Sequence, residues 1–346
     1  MFKPKYVPVS VGLELTRDCN MRCVHCGSSA GEVRSGELTT RELIDLCKKL
    51  KKLKTKLITF SGGEPLLRKD WYEIGLNVRE LGIDLSIISN GYNIDERAIT
   101  KFKEINLCNI GISLDAATPE IHDSIRRVKG SFDKCLKVLK LLRENDISTT
   151  VVTTISKENI KELPKIREIL LGRNIAWQIQ IAIPIGRFPK DLILSKEEYY
   201  SVSMFISSTL NSYPKKRMPV MGAHSIGYNS EILRSTMLVP RWNGCQAGIS
   251  ALGIESNGGV KGCLSLPSNF VEDNIRNRDI SGIWNDPNML SYNRKFTKND
   301  LKSDCRDCKY GKTCKGGCLT VSTALKNEPH CNPYCQFLIE QEMITE

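Results

Sequence analysis

Val11-Gly12-Leu13-Glu14-Leu15 is followed closely by Cys19-Asn20-Met21-Arg22-Cys23-Val24-His25-Cys26. The first segment is a short apolar run that predicts a β-strand, and the second places three thiols on the loop after it. A structural zinc ion and a cubane iron–sulfur cluster both normally take four protein ligands. Three thiols at this spacing therefore predict a metal group with one free position, where we expect the chemistry to begin.

The composition is that of a globular protein. The chain has 346 residues, of which 40% are hydrophobic and 26% charged, which excludes a disordered or fibrous class. No segment approaches the roughly 20 apolar residues that cross a bilayer, and the N-terminus lacks the apolar centre of a signal peptide. We therefore expect a cytoplasmic protein that does not contact the membrane. In that reducing compartment the 14 cysteines indicate metal binding rather than disulfides.

The net charge of +11 is compatible with an anionic partner. The basic residues are scattered, and the densest run, Lys48-Lys49-Leu50-Lys51-Lys52-Leu53-Lys54, is typical of the solvated face of an amphipathic helix. This run has no interleaved aromatic residues of the kind that stack on bases, so no nucleic-acid partner is expected.

Strand-like and helix-like periodicities alternate from Val11 to about Ser212, which predicts an α/β fold with six parallel βα units. The predicted strands are 11–16, 56–60, 84–89, 108–114, 148–154 and 176–183. The predicted helices are 39–53, 70–81, 95–104, 131–145, 159–171 and 195–211. Thr39 and Ser195 have the position of capping-box residues. The pattern fits an incomplete barrel or an open doubly wound sheet, and in both of them ligands lie at the carboxyl ends of the strands.

The composition changes after the sixth unit. Residues 213–244 contain Pro214, Pro219 and Pro240 and are predicted to bridge two domains. From Cys245 onward the chain holds eight of its cysteines, with a helix predicted only at 336–344, and such a segment is expected to depend on metal centres for its fold. The predicted organisation is therefore a domain at 1–212, a bridge at 213–244 and a cysteine-rich domain at 245–346.

The spacing Cys19-x3-Cys23-x2-Cys26 after a first strand resembles that of the radical S-adenosylmethionine (SAM) superfamily. Ser61-Gly62-Gly63-Glu64-Pro65, after the second predicted strand, is similar to the GGEP element of that family. The resemblance implies a partial (β/α)6 TIM-like barrel, a [4Fe–4S] cluster on the three cysteines, and SAM on its fourth iron. It also implies reductive cleavage of SAM to a 5′-deoxyadenosyl radical that abstracts hydrogen from a substrate. From the three thiols alone, a zinc knuckle or buried structural thiols are alternatives.

The same resemblance implies a set of SAM contacts at the carboxyl ends of the strands. The GGEP element would receive the methionyl amino group, and residues that end the third and fourth strands would lie near the ribose and methionyl groups. Arg126 is similar to an arginine that contacts the SAM carboxylate in related enzymes, with a surface arginine as the alternative. The implied SAM-binding residues are Gly62, Gly63, Glu64, Pro65, Ser89, Asn90, Ser113, Asp115 and Arg126.

The C-terminal cysteines resemble the seven-cysteine SPASM extension of radical SAM enzymes, which carries two auxiliary iron–sulfur clusters. The pattern here is Cys245, Gly258, Cys263, Cys305-x2-Cys308-x5-Cys314-x3-Cys318 and Cys331. The resemblance implies that one cluster is held by Cys245, Cys263 and Cys318, and the other by Cys305, Cys308, Cys314 and Cys331. Taken alone, residues 305–318 fit a zinc ribbon equally well.

The first of these auxiliary clusters lacks one expected ligand. Fully ligated relatives have an eighth cysteine shortly before the first, but residues 236–241 contain none. We expect an open iron there, with Cys335, which the seven-cysteine pattern does not use, as the alternative ligand. Cys47, Cys108 and Cys135 fall within helix or strand patterns and are expected to be core thiols.

Three further residues are expected near the active site. His25 is expected to pack beside the cluster, where relatives often carry an aromatic residue. Gln178 and Gln180 lie on the sixth predicted strand, and the strand period does not determine which of them points inward. No residue is assigned as the catalytic acid or base.

The SPASM extension is found chiefly in enzymes that modify ribosomally made peptides or proteins. The resemblance therefore implies a peptide or protein substrate that is oxidised, crosslinked, joined by a thioether or epimerised. Only about ten residues precede the first strand, so a separate leader-peptide-binding protein, or the extension itself, is expected to present the peptide. A flavodoxin- or ferredoxin-type electron donor is acidic, and the basic surface would steer its docking.

Three alternatives remain for the activity. One is a small-molecule step, such as one in haem, quinone-cofactor or aminoglycoside biosynthesis. Another is anaerobic sulfatase maturation, but those relatives place an aspartate base directly after the cysteine equivalent to Cys263, where this chain has Leu264. The third, from a different class, is a non-enzymatic zinc-binding adaptor.

Overall fold

The computed structural model describes residues 6–237 and 242–345. Its central feature is a sheet whose strands, in chain order, are β1 (Ser10–Thr16), β2 (Leu57–Gly62), β3 (Asp84–Ser89), β4 (Asn109–Ser113), β5 (Thr149–Ile155), β6 (Ala176–Ile181), β7 (Val220–Gly222), β8 (Ala251–Ile254), β9 (Gly259–Lys261) and β10 (Asp273–Asn274). Their order in the sheet is β10-β9-β8-β1-β2-β3-β4-β5-β6-β7.

The sheet is open rather than closed. Strands β1 to β7 are parallel to one another, and β8 is parallel to β1 on the opposite side from β2. Only β9 and β10 run antiparallel to their neighbours among the described strands. This arrangement is a partial TIM-like barrel, and it confirms the six predicted parallel strands, because β1 to β6 overlap all of them.

The described residues form twelve α-helices. They are α1 (Thr40–Lys52), α2 (Trp71–Glu80), α3 (Glu96–Glu104), α4 (Pro119–Arg126), α5 (Ser131–Glu144), α6 (Leu163–Leu170), α7 (Lys196–Ser212), α8 (Ile280–Asn285), α9 (Ser291–Arg294), α10 (Gly311–Cys314), α11 (Leu319–Lys326) and α12 (Gln336–Thr345). The six predicted barrel helices are confirmed as α1, α2, α3, α5, α6 and α7, and the predicted C-terminal helix is α12. No helix of the described residues has the length and apolar character needed to span a membrane.

Two helix starts and one helix face form as the sequence predicts. Thr39 and Ser195 make reciprocal capping boxes with Glu42 and Glu198, which satisfy free backbone N–H groups at the starts of α1 and α7. On α1, the apolar side chains are buried against the sheet while most of the lysines of the 48–54 run face solvent. The basic run is therefore the outer face of an amphipathic helix, as predicted.

The C-terminal part of the chain is built onto the barrel. Strand β8 extends the barrel sheet through its pairing with β1, and the buried carboxylate of Glu340 on α12 accepts hydrogen bonds from the backbone of Glu231 and the hydroxyl of Tyr200. These contacts connect the predicted bridge, barrel and C-terminal domain, whose boundaries remain predictions. Residues 238–241, which include Pro240 and most of the cysteine-free stretch 236–241, lie outside the described residues.

Two of the three predicted core thiols are buried. Cys47 and Cys135 pack in the main hydrophobic core on α1 and α5. The prediction is wrong for Cys108, which is exposed. It lies directly before β4, and although its N–H donates to Leu85 O of β3 at 2.9 Å, its side chain is exposed, so membership of a strand pattern did not imply burial.

Candidate functional site

The loop between β1 and α1 brings Cys19, Cys23 and Cys26 to the wall of one cavity of about 150 Å³, called here the SAM cavity. Arg187 fixes this loop through its hydrogen bonds to Cys23 O at 3.3 Å and to Ala30 O at 2.6 Å. Burial raises the pKa of the Cys19 thiol to about 11 and also raises that of Cys23. Such thiols ionise when they bind a cation, so the donor set fits an iron–sulfur cluster held by three thiolates.

The glycine pair of the GGEP element packs against the cluster loop. The N–H of Gly63 donates to Thr16 O at 2.8 Å, and a Cβ at Gly63 would stand only 2.0 Å from Asp18 O. Only glycine fits this close approach of two backbones. Both glycines line the SAM cavity, and their contact with the loop fixes where the three thiols stand.

Glu64 organises the neighbouring strand ends from behind the wall of the SAM cavity. Its buried carboxylate accepts hydrogen bonds from Ser89 Oγ at 2.9 Å and from the N–H of Asn90 at 2.8 Å. Burial, partly offset by these bonds, raises the pKa of Glu64 to about 7. The carboxylate thereby joins the loops after β2 and β3, and Pro65 begins the short 3-10 turn Pro65–Leu67 that follows.

Asp115 orients two side chains of the SAM cavity. Its fully buried Oδ2 lies 2.6 Å from Arg126 Nη2 and 2.9 Å from His25 Nε2. Burial opposes ionisation of Asp115, but the Arg126 guanidinium and the His25 imidazole outweigh it and hold the pKa of that carboxyl well below its usual range. Arg126 also places Nη1 3.6 Å from Cys23 Sγ, so one guanidinium links the carboxylate to a cluster thiol.

The structure brings most of the implied SAM-binding residues to one cavity. The lining of the SAM cavity includes Gly62, Gly63, Ser89, Asn90, Ser113 and Arg126. Glu64, Pro65 and Asp115 are buried and do not line this cavity, and Glu64 and Asp115 position residues that do. Within the described residues, the buried Nε of Arg126 has no hydrogen-bond partner, so a carboxylate bound in the cavity would satisfy it. The residues present therefore fit SAM.

A second cavity, called here the large cavity, adjoins the cluster loop and has a volume of about 710 Å³. Its wall combines the cluster loop, the inner faces of the barrel strands and the loop after β9. Gln180 lines it and donates to Thr154 Oγ1 at 3.0 Å, whereas Gln178 donates to Gln180. The two glutamines are two residues apart and share one face of β6, so the expectation that only one of them points inward is wrong. Gln180, nearer the carboxyl end of the strand, is the one that lines the cavity. Leu264 also lines the large cavity, so an apolar side chain stands where sulfatase-maturating relatives carry a base.

Four charged side chains line the large cavity that the sequence analysis did not single out. Arg34 lies 3.1 Å from Glu14 and 2.6 Å from Glu255, and Lys261 lies 2.9 Å from Glu255. Glu14 alternates with Leu13 and Leu15 on β1, so the strand period was the available signal that it faces inward. These ion pairs join the first barrel strand to the extension across the cavity wall.

Cys245, Cys263 and Cys318 form what we call the first auxiliary site. Burial, and next the neighbouring thiol of Cys318, raise the pKa of Cys245 to about 12. Burial also raises the pKa of Cys263, with Cys318 again a close neighbour. The structure thus brings together the three thiols that the sequence resemblance grouped.

The second auxiliary site consists of Cys305, Cys308 and Cys314 together with Cys335, which line one cavity. After burial, the neighbouring thiol of Cys335 contributes most to the raised pKa of both Cys305 and Cys314, each about 12. Cys331 lies near Cys305, but it does not line this cavity and its thiol donates to Glu328 O at 3.3 Å. The structure therefore places Cys335, rather than Cys331, in one cavity with the other three thiols.

Two family models match the chain in the regions just described. Residues 13–170 match the radical SAM superfamily, and residues 245–309 match SPASM, an iron–sulfur cluster-binding domain. The chain is a radical SAM enzyme with a SPASM domain. SAM and iron–sulfur clusters are therefore its cofactors, and the zinc-adaptor alternative is excluded. SAM bound to the reduced cluster supplies a 5′-deoxyadenosyl radical, while the chain's own residues bind, orient and enclose the reactants.

Relatives of this radical SAM enzyme carry different names. The AdoMet-dependent heme synthase of Methanosarcina barkeri is 27% identical over 94% of this chain and 96% of its own length. Mycofactocin maturase MftC of Mycobacterium tuberculosis is 25% identical over 91% of this chain and 79% of its own length. Among solved structures, SAM-bound SuiB of Streptococcus suis superimposes with a TM-score of 0.76 and 16% identity, covering 96% of this chain and 78% of SuiB. That last similarity concerns the fold alone.

Proposed function

We propose that this radical SAM enzyme abstracts hydrogen from a peptide or protein substrate held in the large cavity and thereby modifies it after translation. The observation that carries the proposal is the chemistry of the cavity wall. It presents hydroxyl and amide groups, among them those of Thr59, Ser61, Thr154 and Gln180, and within the described residues it includes no Phe, Tyr or Trp side chain. Such a wall offers hydrogen bonds to peptide groups, and its apolar residues, among them Ile181, Ile183 and Leu266, offer contacts to apolar side chains.

The position of the large cavity supports the proposal. Its wall contains Cys26 of the cluster loop on one side and residues 264–268 of the extension on another. A substrate there would lie beside the site where the radical forms and beside the segment that carries Cys263. The volume of about 710 Å³ lies within the usual range of ligand cavities, roughly 300–1,000 Å³, and suits a few residues of a peptide.

The proposed ligand sets follow from the geometry. The radical cluster would be held by Cys19, Cys23 and Cys26, and SAM by the residues of the SAM cavity, with Glu64, Pro65 and Asp115 positioning them. The auxiliary clusters would be held at the first site by three thiols and at the second by four, including Cys335. Each cluster is proposed to be of the [4Fe–4S] type.

The direct test is anaerobic incubation of the reconstituted enzyme with SAM, a reductant and peptides encoded beside its gene, followed by mass spectrometry. A peptide that loses two hydrogen atoms, or gains solvent deuterium at constant composition, supports the proposal. The matched control replaces Cys19, Cys23 and Cys26 with alanine and should leave every peptide unchanged. Peptides that stay unchanged while 5′-deoxyadenosine forms with another substrate would contradict it.

Electron delivery is tested in the same assay. We propose an acidic flavodoxin or ferredoxin as the donor, because the chain carries a net charge of +11. The rate at which this donor reduces the enzyme should fall as the salt concentration rises, because salt screens the attraction between the two proteins. A reduction rate that is insensitive to salt would argue against this donor.

We also propose a separate leader-binding protein. Adding it should increase the yield of modified peptide from a long precursor but not from the excised core peptide.

A small-molecule substrate is the second candidate, because the relative from Methanosarcina barkeri is named a heme synthase and matches over nearly the whole chain. An iron porphyrin is therefore the second substrate to offer in the assay. A decrease in the mass of the porphyrin that requires SAM would support this candidate.

Sulfatase maturation is disfavoured. Leu264, which lines the large cavity, provides no base at the position where sulfatase-maturating relatives carry an aspartate.

A further inference from the structure

His224 stands between the first auxiliary site and the large cavity. It follows β7, its Nδ1 lies 4.0 Å from Cys318 Sγ, and its imidazole lines the large cavity. Its backbone φ of 58° lies in the left-handed region, which is uncommon for residues other than glycine. Strain of this kind persists where the surroundings require it and is concentrated at functional sites. The contacts of His224 indicate what that function is.

The sulfur of Cys318 is surrounded by hydrogen-bond donors. The backbone N–H groups of Val321 and Thr320 and the hydroxyl of Tyr228 all contribute to its environment. The Tyr228 ring stacks on Trp242 with centroids 4.1 Å apart, which holds the hydroxyl in place. Tyr228 lines the cavity of the second auxiliary site rather than the large cavity. Of these neighbours of the Cys318 sulfur, His224 is the one that also lines the large cavity.

The imidazole nitrogen that faces Cys318 Sγ, at 4.0 Å, is Nδ1, and Nδ1 can carry the ring proton. A neutral imidazole donates through one nitrogen and accepts through the other. Cys318 is proposed above as a cluster ligand, and a ligating thiolate is an acceptor. Placing the proton on Nδ1 satisfies that sulfur and leaves Nε2 free to accept a hydrogen bond.

We propose that His224 is a positioning residue that donates a hydrogen bond from Nδ1 to the Cys318 sulfur of the first auxiliary cluster. Donors to a ligating sulfur withdraw negative charge and favour the reduced cluster. His224 therefore sets the reduction potential of the first auxiliary cluster from the side that faces the large cavity. In this proposal His224 is neither the fourth ligand of the first auxiliary cluster nor a residue that only packs in the hydrophobic core.

The first test is a redox titration monitored by electron paramagnetic resonance. It uses the full chain with Cys19, Cys23 and Cys26 replaced by alanine, so that the auxiliary clusters alone contribute. In this background His224→Phe keeps a ring but removes the N–H, and it should shift the midpoint potential of one auxiliary cluster to a more negative value. Tyr228→Phe, which removes another donor to the same sulfur, is the matched control and should shift the same cluster in the same direction. A shift with Tyr228→Phe and none with His224→Phe overturns the proposal.

The second test needs no substitution at the site and remains decisive if His224→Phe loses its cluster. Electron–nuclear double resonance of the holoenzyme labelled with 15N-histidine should detect a weakly coupled imidazole nitrogen and an exchangeable proton on an auxiliary cluster. A strongly coupled, directly bonded nitrogen would show instead that His224 ligates iron. The absence of any histidine coupling would overturn the proposal as well. Neither test uses a substrate, so a failed peptide proposal leaves both results intact.

Discussion

Asp115 and Arg126 act together at the wall of the SAM cavity. The fully buried carboxylate of Asp115 lies 2.6 Å from Arg126 Nη2 and keeps the guanidinium turned towards the cavity. Asp115→Asn removes a charge-assisted pair worth about 1.5–3 kcal/mol, so the dissociation constant of SAM should rise roughly tenfold or more. Anaerobic calorimetry on cluster-loaded protein measures it. Glu120→Gln, an exposed change on the same helix, is the control, and equal affinities of the two variants would contradict the assigned role.

The ligands of the second auxiliary site give a second prediction at the residue scale. Cys335→Ala removes one of the four thiolates proposed for the second auxiliary cluster and should lower the iron content by up to roughly four atoms per chain, whereas Cys331→Ala should leave the iron content unchanged. Iron and sulfide analysis of anaerobically purified protein distinguishes the two variants. Loss of iron from Cys331→Ala and its retention in Cys335→Ala would restore the assignment drawn from the sequence.

The sequence located most of the site but could not choose between neighbouring candidates. The spacing of Cys19, Cys23 and Cys26 was sufficient because the three thiols share one short loop. Cys331 and Cys335 both lie in the irregular chain between α11 and α12, where spacing does not determine which thiol reaches the others. Gln178 and Gln180 share one face of β6, and which of them reaches the cavity depends on where the strand ends, which its pairing with β5 determines.

At the scale of elements, the hairpin of the extension depends on a close backbone contact. Strand β8 pairs with β1, and the chain after β9 returns across it. A Cβ at Gly253 would stand 2.3 Å from the backbone N of Leu264 and 2.6 Å from the carbonyl carbon of Cys263. Any side chain there must displace the segment that carries a proposed cluster ligand.

Gly253→Ala should therefore reduce the occupancy of the first auxiliary site by about one cubane, or roughly four iron atoms. Gly282→Ala is the control in the same extension, because its Cβ would meet only the side chain of Arg278, with Cγ at 3.6 Å and Cδ at 3.8 Å. Iron content and Mössbauer spectra of the two variants give the measurement. Full occupancy in Gly253→Ala would mean that the loop relaxes without moving Cys263.

The elements that the sequence predicted are those stabilised by long, regular apolar patterns. The six barrel strands and their helices each bury several residues of one face, so periodicity identified them. Helix α4 has eight residues, and α8 to α11 have between four and eight. Strands β8 to β10 are two to four residues long. Such short elements depend on tertiary pairing, which a single sequence does not encode locally.

At the scale of the whole molecule, the ion pairs of Glu14, Arg34, Glu255 and Lys261 join barrel and extension. Glu255→Ala leaves the buried Lys261 without its partner, which typically costs about 3–5 kcal/mol, so the thermal midpoint of the cluster-loaded protein should fall by several degrees. Glu144→Ala, which breaks an exposed pair with Lys140 at 3.8 Å, should cost less than about 1 kcal/mol. A midpoint equally unchanged in both variants would mean that the clusters alone hold the two parts together.

The central claim is that one chain holds three iron–sulfur clusters on three separate ligand sets, with SAM at the first. The most direct measurement is Mössbauer spectroscopy with iron analysis of anaerobically reconstituted protein. We predict about 12 iron atoms per chain, and about 8 with no 5′-deoxyadenosine formed when Cys19, Cys23 and Cys26 are replaced by alanine. Bound zinc without sulfide, or an iron content that does not change in the triple variant, would contradict the account.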